Sequence, residues 1–400
     1  VVSQIAINKG IQVTAAGSII NFSIGIFYAW SVFADGLINE LGWSSAEAML
    51  PYTMEILFFS IAMIFGGRFQ DRFGPRRGTL MSGIFTGAAF IMCGLTASPI
   101  GVAFSFGVVF AVAAAFGYSA VTPAAIKWFP PARRGLVTGL VLMSLGAGSL
   151  IWAPVINFLI DYTGIINAFI ICGFFLMAAI TISSRFISIP ETNTWNNNPA
   201  KHNLSPLDFD WRHTIKDPSF KILWLLVGLT SGVGLMFVGH LVQIAETNFQ
   251  VGWGYLLVSL FAVTNASSRL IGGAICDRLG YIGNMKVALL MMVAAMLLYL
   301  SGLGWPALVL GTTFLGLSYG SLYTSYPNAV AQLFGLENFG ISYGMIFTAL
   351  GLVGSIGPMV SAFLVEMTAS YNLSFLIGLA ATLFCFLLVA KLKKLIYQIP

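Results

Sequence analysis

One arginine stands in an apolar run. Arg269 lies eight residues before Asp277, a helical distance of about 12 Å at 1.5 Å per residue. If Asp277 marks the inner end of a membrane helix, Arg269 sits near the middle of a hydrocarbon core about 30 Å thick. An arginine there costs about 2.5–3.5 kcal/mol on insertion scales, so it normally lines a wet cavity and meets an anion. The planar guanidinium fork matches a carboxylate through two parallel hydrogen bonds. A structural arginine bonded to backbone carbonyls is the alternative. Asn265 lies one turn outward on the same face, where residues four apart are neighbours. Its amide can donate to a carboxylate or hydroxyl, orient Arg269, or bond a neighbouring helix.

Tyrosines form the next pattern. Tyr319, Tyr323 and Tyr326 make an i, i+4, i+7 stripe, and Tyr118 with Thr122 makes a second polar face. Asn21, Gly25 and Tyr28 make a third, and Tyr343, Phe347 and Leu350 share a face of their own. Aromatic stripes usually serve packing, but a tyrosine hydroxyl in an apolar medium needs a partner. Tyr118 and Tyr319 are therefore the stronger site candidates, with Tyr323 and Tyr28 beside them. Phe347 and Leu145 can offer an apolar pocket for a methyl group. His240 and Glu55 are candidates for a proton or gate role, and His202 and His213 fall in a polar linker. An interfacial histidine without a role is the competing reading of His240. The sequence holds no P-loop, catalytic triad or metal cluster, and Gly351 to Gly357 reads as a packing or bending element. No cofactor, ATP dependence or enzymatic activity is expected.

The elements that position these residues follow from composition. Of 400 residues, 58 % are hydrophobic and only 8 % charged, and mean hydropathy is +0.89. A soluble domain carries about 25 % charged residues, so an ordinary soluble enzyme is excluded and a polytopic helical membrane protein is expected. The net charge of +5 reflects basic residues gathered at one membrane face, not a nucleic-acid surface. Cys93, Cys172, Cys276 and Cys385 lie in apolar stretches and read as buried thiols. No cleavable signal peptide is expected, because the first apolar stretch runs too long and lacks a small-residue cleavage site.

Hydropathy predicts twelve spans, at roughly 11–34, 47–67, 78–97, 100–126, 135–160, 165–187, 220–246, 252–276, 285–303, 306–333, 339–365 and 371–391. The polar stretch 188–219 reads as a cytoplasmic linker between six-helix halves 1–187 and 220–400, with room for a short interfacial helix. With both termini placed inside, every Lys and Arg of the 19 except Arg269 falls on the inner side. That asymmetry sets the topology: multi-pass, in the cell's inner (cytoplasmic) membrane, both termini cytoplasmic. No predicted span holds an acidic residue at the depth of Arg269; Glu55, two turns into span 2 from the outside, comes nearest.

The halves repeat each other. GGRFQDRFGPRR at 66–77 corresponds to GGAICDRLG at 272–280, and YSAVTPAAIKWF at 118–129 to YTSYPNAVAQLF at 323–334. Duplicated six-helix halves are a transporter signature. The pattern G-x-x-x-D-R-x-G-x-R-R, through Gly67, Asp71, Arg72 and Gly74 to Arg77, resembles the loop 2–3 signature of the major facilitator superfamily. A weaker copy carries Asp277 and Arg278. The Asp can pair with basic residues or cap a neighbouring helix N-terminus.

Within that superfamily, KWFPPARRGLVTGLVLMSLGAGS at 127–149 and the Arg269 to Asp277 spacing resemble bacterial monocarboxylate transporters and the oxalate:formate antiporter family. The resemblance implies the major facilitator fold, an all-α membrane protein of two pseudo-symmetric six-helix bundles. It also implies a proton-coupled transporter of small monocarboxylates, with L-lactate or pyruvate as the expected substrate, acting as a monomer. The chain departs from animal monocarboxylate transporters at Asn265, where they carry Asp, and at Val32, where they carry a span 1 lysine. It departs from the antiporter at Leu350, where that family has a lysine six residues after its N-Y-G motif. A carboxylate exchanger and a transporter-like sensor remain the alternatives.

Overall fold

The computed structural model describes residues 2–190, 211–336 and 338–397. Most of the expected linker, with His202, lies outside these. Everything ordered into regular elements among the described residues is helical. The helices are α1 (Val2–Ile24), α2 (Trp30–Leu41), α3 (Ser45–Phe73), α4 (Pro75–Thr96), α5 (Pro99–Phe104), α6 (Ala111–Ile126) and α7 (Arg134–Ser184). There follow α8 (Trp211–Lys216), α9 (Pro218–Val238), α10 (Leu241–Phe249), α11 (Tyr255–Leu300), α12 (Trp305–Leu333), α13 (Phe339–Ala349), α14 (Ile356–Thr368) and α15 (Asn372–Tyr397). Among the described residues, nine helical stretches are long and apolar enough to cross a membrane. Two of these, containing α7 and α11, are bent at Gly164 and Gly280 into two limbs each. These limbs bring the count to eleven, and α12 (Trp305–Leu333), which is not among the nine, is the counterpart of span 10, so each of the twelve predicted spans has a helical counterpart.

Local chemistry starts these helices where the sequence provides caps. Ser44 and Glu47 form a reciprocal capping box at the start of α3. Ser98 followed by Pro99 opens α5, and Asp217 followed by Pro218 opens α9. Proline at the first helical position forfeits only an N–H that has no partner within the helix. Four spans are less regular than hydropathy predicts. Span 1 becomes α1 and α2 joined by a 3-10 segment, Gly25–Ala29. Spans 4 and 11 contain π-helical segments at Ser105–Phe110 and Leu350–Gly354. Span 7 breaks at Gly239 and His240, so His240 precedes α10 and does not end one continuous helix.

The chain forms two compact units. One comprises Val1–Pro130, Leu140–Asp208 and Phe334–Met345; the other comprises Pro131–Gly139, Phe209–Leu333 and Ile346–Pro400. The core of the first unit is an aromatic cluster. Trp30 and Phe106 have ring centroids 4.0 Å apart, and Phe33 stacks on Phe169 at 4.5 Å. The Trp30 indole donates to the Ala48 carbonyl at 2.9 Å, satisfying its polar edge. In the second unit Tyr299 packs between Phe237 and Phe375, and its hydroxyl meets Thr312. All four cysteines are buried thiols. By contrast Phe65, Leu95, Ile100, Phe174 and Met359 each expose more than half of their surface. Apolar exposure on this scale is a liability in water and the normal condition of a lipid-facing helix.

The repeat is visible in the capping chemistry as well. The Glu40 carboxylate accepts the Ile165 N–H at 2.9 Å in the first unit, and the Asn248 amide oxygen accepts the Tyr371 N–H at 3.0 Å in the second. The same duplication explains two motif glycines. Gly74 has φ 85° and ψ 153°, and Gly280 has φ 72° and ψ 167°. Positive φ with extended ψ is accessible essentially only to glycine. Neither position has a heavy atom within 4 Å of where a Cβ would lie, so substitution there isolates the backbone cost. Gly74→Ala and Gly280→Ala should each lose about 1–3 kcal/mol, read as a lowered thermal midpoint in detergent. Gly252→Ala, with equally open space and no positive φ, should leave the midpoint unchanged.

Candidate functional site

In the second unit the first limb of α11, before Gly280, carries Arg269, which is 2 % exposed. Its guanidinium carbon lies 5.9 Å from the ring centroid of Tyr323 on α12, a cation–π distance. The Tyr323 hydroxyl is held by Ser231 of α9 at 2.9 Å and by the Tyr319 hydroxyl at 3.1 Å. The predicted stripe on α12 therefore faces inward and forms a line of hydroxyls beside a buried cation. Tyr326 continues it, bonded to Thr230. Phe347 stands edge-on to Tyr323 at 6.1 Å. Close packing holds this arrangement. A Cβ at Gly234 would lie 2.1 Å from the Tyr319 ring, and one at Gly139 would lie 2.4 Å from the Arg269 carbonyl. Asn265 sits against Gly320, and its Oδ1 is buried with no hydrogen-bond partner among the described residues.

In the first unit Tyr118 and Tyr343 are both buried, with hydroxyls 3.3 Å apart and nearly parallel rings at 6.4 Å. Phe59 meets Tyr118 edge-on at 5.7 Å. The predicted face Asn21, Gly25 and Tyr28 is divided by the 3-10 segment. Asn21 donates to the Val141 carbonyl at 2.9 Å, and Gly25 closes on the Leu145 carbonyl. Tyr28 is 42 % exposed and pairs with Phe27. Leu145 is buried.

The two proton or gate candidates stand in environments of their own. His240 bridges two elements of the second unit: Nε2 faces the Pro358 carbonyl at 3.3 Å, and Nδ1 the Tyr371 hydroxyl at 3.4 Å. A carbonyl only accepts, so Nε2 is the donor to Pro358. Glu55 is 1 % exposed on α3 in the first unit.

The acids of the loop motif cap helix N-termini, with Lys127 in the electrostatic reach of Asp71. The Asp71 carboxylate accepts the Gly340 and Ile341 N–H groups at 3.1 and 2.8 Å, capping α13. Asp277 accepts those of Gly135 and Leu136 at 2.7 and 2.8 Å, capping α7. Each cap lies within one compact unit. Backbone contact accompanies both: a Cβ at Gly67 would lie 2.0 Å from the Gly340 carbonyl, and one at Gly135 2.4 Å from that of Gly273. Arg72 and Arg278 are exposed; Arg72 lies over the Phe73 ring at 5.2 Å.

Sequence reasoning missed Thr230 and Ser231, which tie the tyrosine line to α9, and Phe59, which buttresses Tyr118. The adjacent hydroxyls at 230 and 231 inside an apolar span were the available signal.

Duplicated helical bundles, exposed apolar faces and twin acidic caps define a multi-pass helical membrane protein of the transporter type. The Major Facilitator Superfamily profile matches residues 15–304 and 247–396, and the chain belongs to that superfamily. The chain is 23 % identical over 363 residues to the oxalate:formate antiporter of Oxalobacter formigenes, covering 87 % of this chain and 85 % of that protein. It is also 23 % identical over 384 residues to monocarboxylate transporter 11 of Mus musculus, covering 92 % and 84 %. The crystal structure of FucP, a Major Facilitator Superfamily transporter, in the outward conformation superposes with a TM-score of 0.74 at 14 % identity, covering 96 % of this chain and 99 % of that one.

The caps generate a direct test. Asp71→Ala or Asp277→Ala should cost about 0.5–2 kcal/mol each, the usual worth of a helix N-cap. The two losses should add in the double variant, because the caps share no partner. Thermal unfolding in detergent measures both.

Proposed function

We propose that this chain is a secondary transporter of small monocarboxylates, L-lactate or pyruvate, moving one anion with one proton by alternating access of two six-helix halves. In this reading it is a monomer in the inner membrane with both termini cytoplasmic. The observation that carries the proposal is Arg269: a buried guanidinium whose charge is fixed at any physiological pH, seated against Tyr323 and a line of tyrosine hydroxyls. A carboxylate is the anion whose two oxygens match the guanidinium fork. Asn265 is assigned to donate its amide to the same substrate, and Phe347 supplies an apolar wall. Tyr118, Leu145 and Tyr28 are further proposed contacts. The names of two relatives, one for oxalate and formate and one for monocarboxylates, support the substrate class.

Exchange of one carboxylate for another is the second reading, favoured by the likeness to the oxalate:formate antiporter. Proteoliposome uptake of labelled lactate separates the two. On the symport reading an imposed pH gradient drives uptake into vesicles with no internal anion; uptake that requires a preloaded anion selects exchange. In the same assay Arg269→Gln should abolish transport while the protein remains folded. Arg269→Lys should restore little, because an ammonium lacks the planar fork. Near wild-type uptake by Arg269→Gln would remove Arg269 from the site.

Charge matching fixes the preference among acids. Leu350, in the position where the antiporter family carries a lysine, begins the π-helical segment Leu350–Gly354. One guanidinium neutralises one carboxylate, and a second carboxylate desolvated beside it costs several kcal/mol. Lactate and pyruvate should therefore compete far better than oxalate, malonate or succinate at neutral pH, and Leu350→Lys should shift the preference toward oxalate. Equal competition by oxalate in wild type would overturn the argument.

A further inference from the structure

We propose that Glu55 is the group that loads and releases the transported proton, and that it stands in this structure as the neutral acid. The inference rests on the symport reading above and names the residue that performs it. The sequence leaves two candidates, and their surroundings separate them. His240 is engaged at both ring nitrogens, by Pro358 and Tyr371, and serves as a brace between α14 and the start of α15. Glu55 is 1 % exposed, and its Oε2 is buried with no hydrogen-bond partner among the described residues. Tyr52, three residues before it on α3, lies in its electrostatic neighbourhood, and Tyr28 lies in that of Tyr52. A carboxylate buried without a cation or donors is far costlier than the uncharged acid, so Glu55 ionises only on reaching water.

Three features place this carboxyl where its charge can matter. The first is depth. α3 runs from Ser45 to Phe73, and Glu55 lies four residues, about 6 Å, from its midpoint. The second is continuity with the tyrosine pair. Glu55, Phe59 and Met63 recur at four-residue intervals on one face of α3. Phe59 meets the Tyr118 ring, and the Met63 carbonyl lies against Gly344, next to Tyr343. The third is the neighbouring backbone. Gly107 in the π-helical segment Ser105–Phe110 packs on α3 at this level, where an added Cβ would lie 2.7 Å from Met54 Cβ, 3.0 Å from the Pro51 carbonyl and 3.7 Å from the Glu55 nitrogen. π-bulges are frequent at functional sites. Tyr28, 42 % exposed, lies in the electrostatic reach of Tyr52, the residue one turn before Glu55, and marks the side from which water arrives. On release the carboxyl O–H bond breaks, the proton passes to water, and a carboxylate is left; loading reverses the step. The buried acid thus accompanies the anion held at Arg269, and one cycle moves no net charge.

The test compares wild type, Glu55→Gln and Glu55→Asp in proteoliposomes. Glu55→Gln should lose lactate accumulation driven by a pH gradient while retaining lactate–lactate exchange, which moves no net proton. Glu55→Asp should recover part of the accumulation. Infrared difference spectra of the purified protein, without substrate, should show a protonated-carboxyl C=O stretch at neutral pH that Glu55→Gln removes. Gradient-driven accumulation by Glu55→Gln at the wild-type rate overturns the proposal, and so does a wild-type spectrum in which that band is absent. If wild type transports no monocarboxylate, the function proposed above fails. The infrared band still decides the protonation of Glu55, and it does so on wild type even if Glu55→Gln fails to fold.

Discussion

In hydrocarbon a backbone N–H has no water to turn to, and each unsatisfied group costs several kcal/mol. That constraint makes the chain helical throughout its apolar stretches, and it makes helix starts the critical places, since the first four N–H groups of a helix lack partners within it. The protein answers with acidic and amide side chains borrowed from distant helices. Asp71 caps α13, Asp277 caps α7, Glu40 caps the limb that begins at Ile165, and Asn248 holds the Tyr371 N–H. Each of these bonds spans more than 100 residues of sequence. They fasten elements that chain order alone would leave apart, which is why short segments of α7 and α13 group with units other than those holding the rest of each helix.

The same constraint makes every departure from α-helical regularity informative, because each one loosens hydrogen bonds that the medium does not replace. The 3-10 segment at Gly25–Ala29 lets Gly25 close on Leu145. The π-helical segment at Leu350–Gly354 follows directly on the helix that carries Tyr343 and Phe347, and Gly357 beyond it packs on the Gly232 carbonyl. The one at Ser105–Phe110 lies against the helix turn that carries Glu55. The break at His240 is braced through the imidazole. Irregular backbone and buried polar side chains coincide in this molecule, as expected where a membrane helix must both pack and respond to a ligand.

Within the clusters, hydroxyls balance the buried polar groups. Tyr319, Tyr323 and Ser231 form a hydrogen-bonded line, and Tyr118 and Tyr343 form a pair. Such groups are costly to desolvate unless each finds a partner. A guanidinium packed over Tyr323 adds a fixed positive charge to that setting. Selectivity by charge count follows from the low dielectric around it, where a second carboxylate has no bulk water to screen it.

The spans, the duplication and the identity of the buried cation were legible in the order of the amino acids alone. Length of apolar run, period of repeat and rarity of charge are all one-dimensional signals, and hydrocarbon punishes exceptions to them. The sequence also marked the acidic motif and left two mechanisms open for it. Tertiary structure made the helix cap, because capping depends on which N-terminus lies beside Asp71, and no spacing rule encodes a contact made across more than 200 residues. It likewise separated Tyr28 from Asn21, since a helix wheel assumes one pitch and the chain changes pitch at Gly25. Thr230 and Ser231 became partners of the tyrosine line for the same reason: a hydroxyl's role is set by the helix opposite it, and pairing between helices is decided by packing in three dimensions.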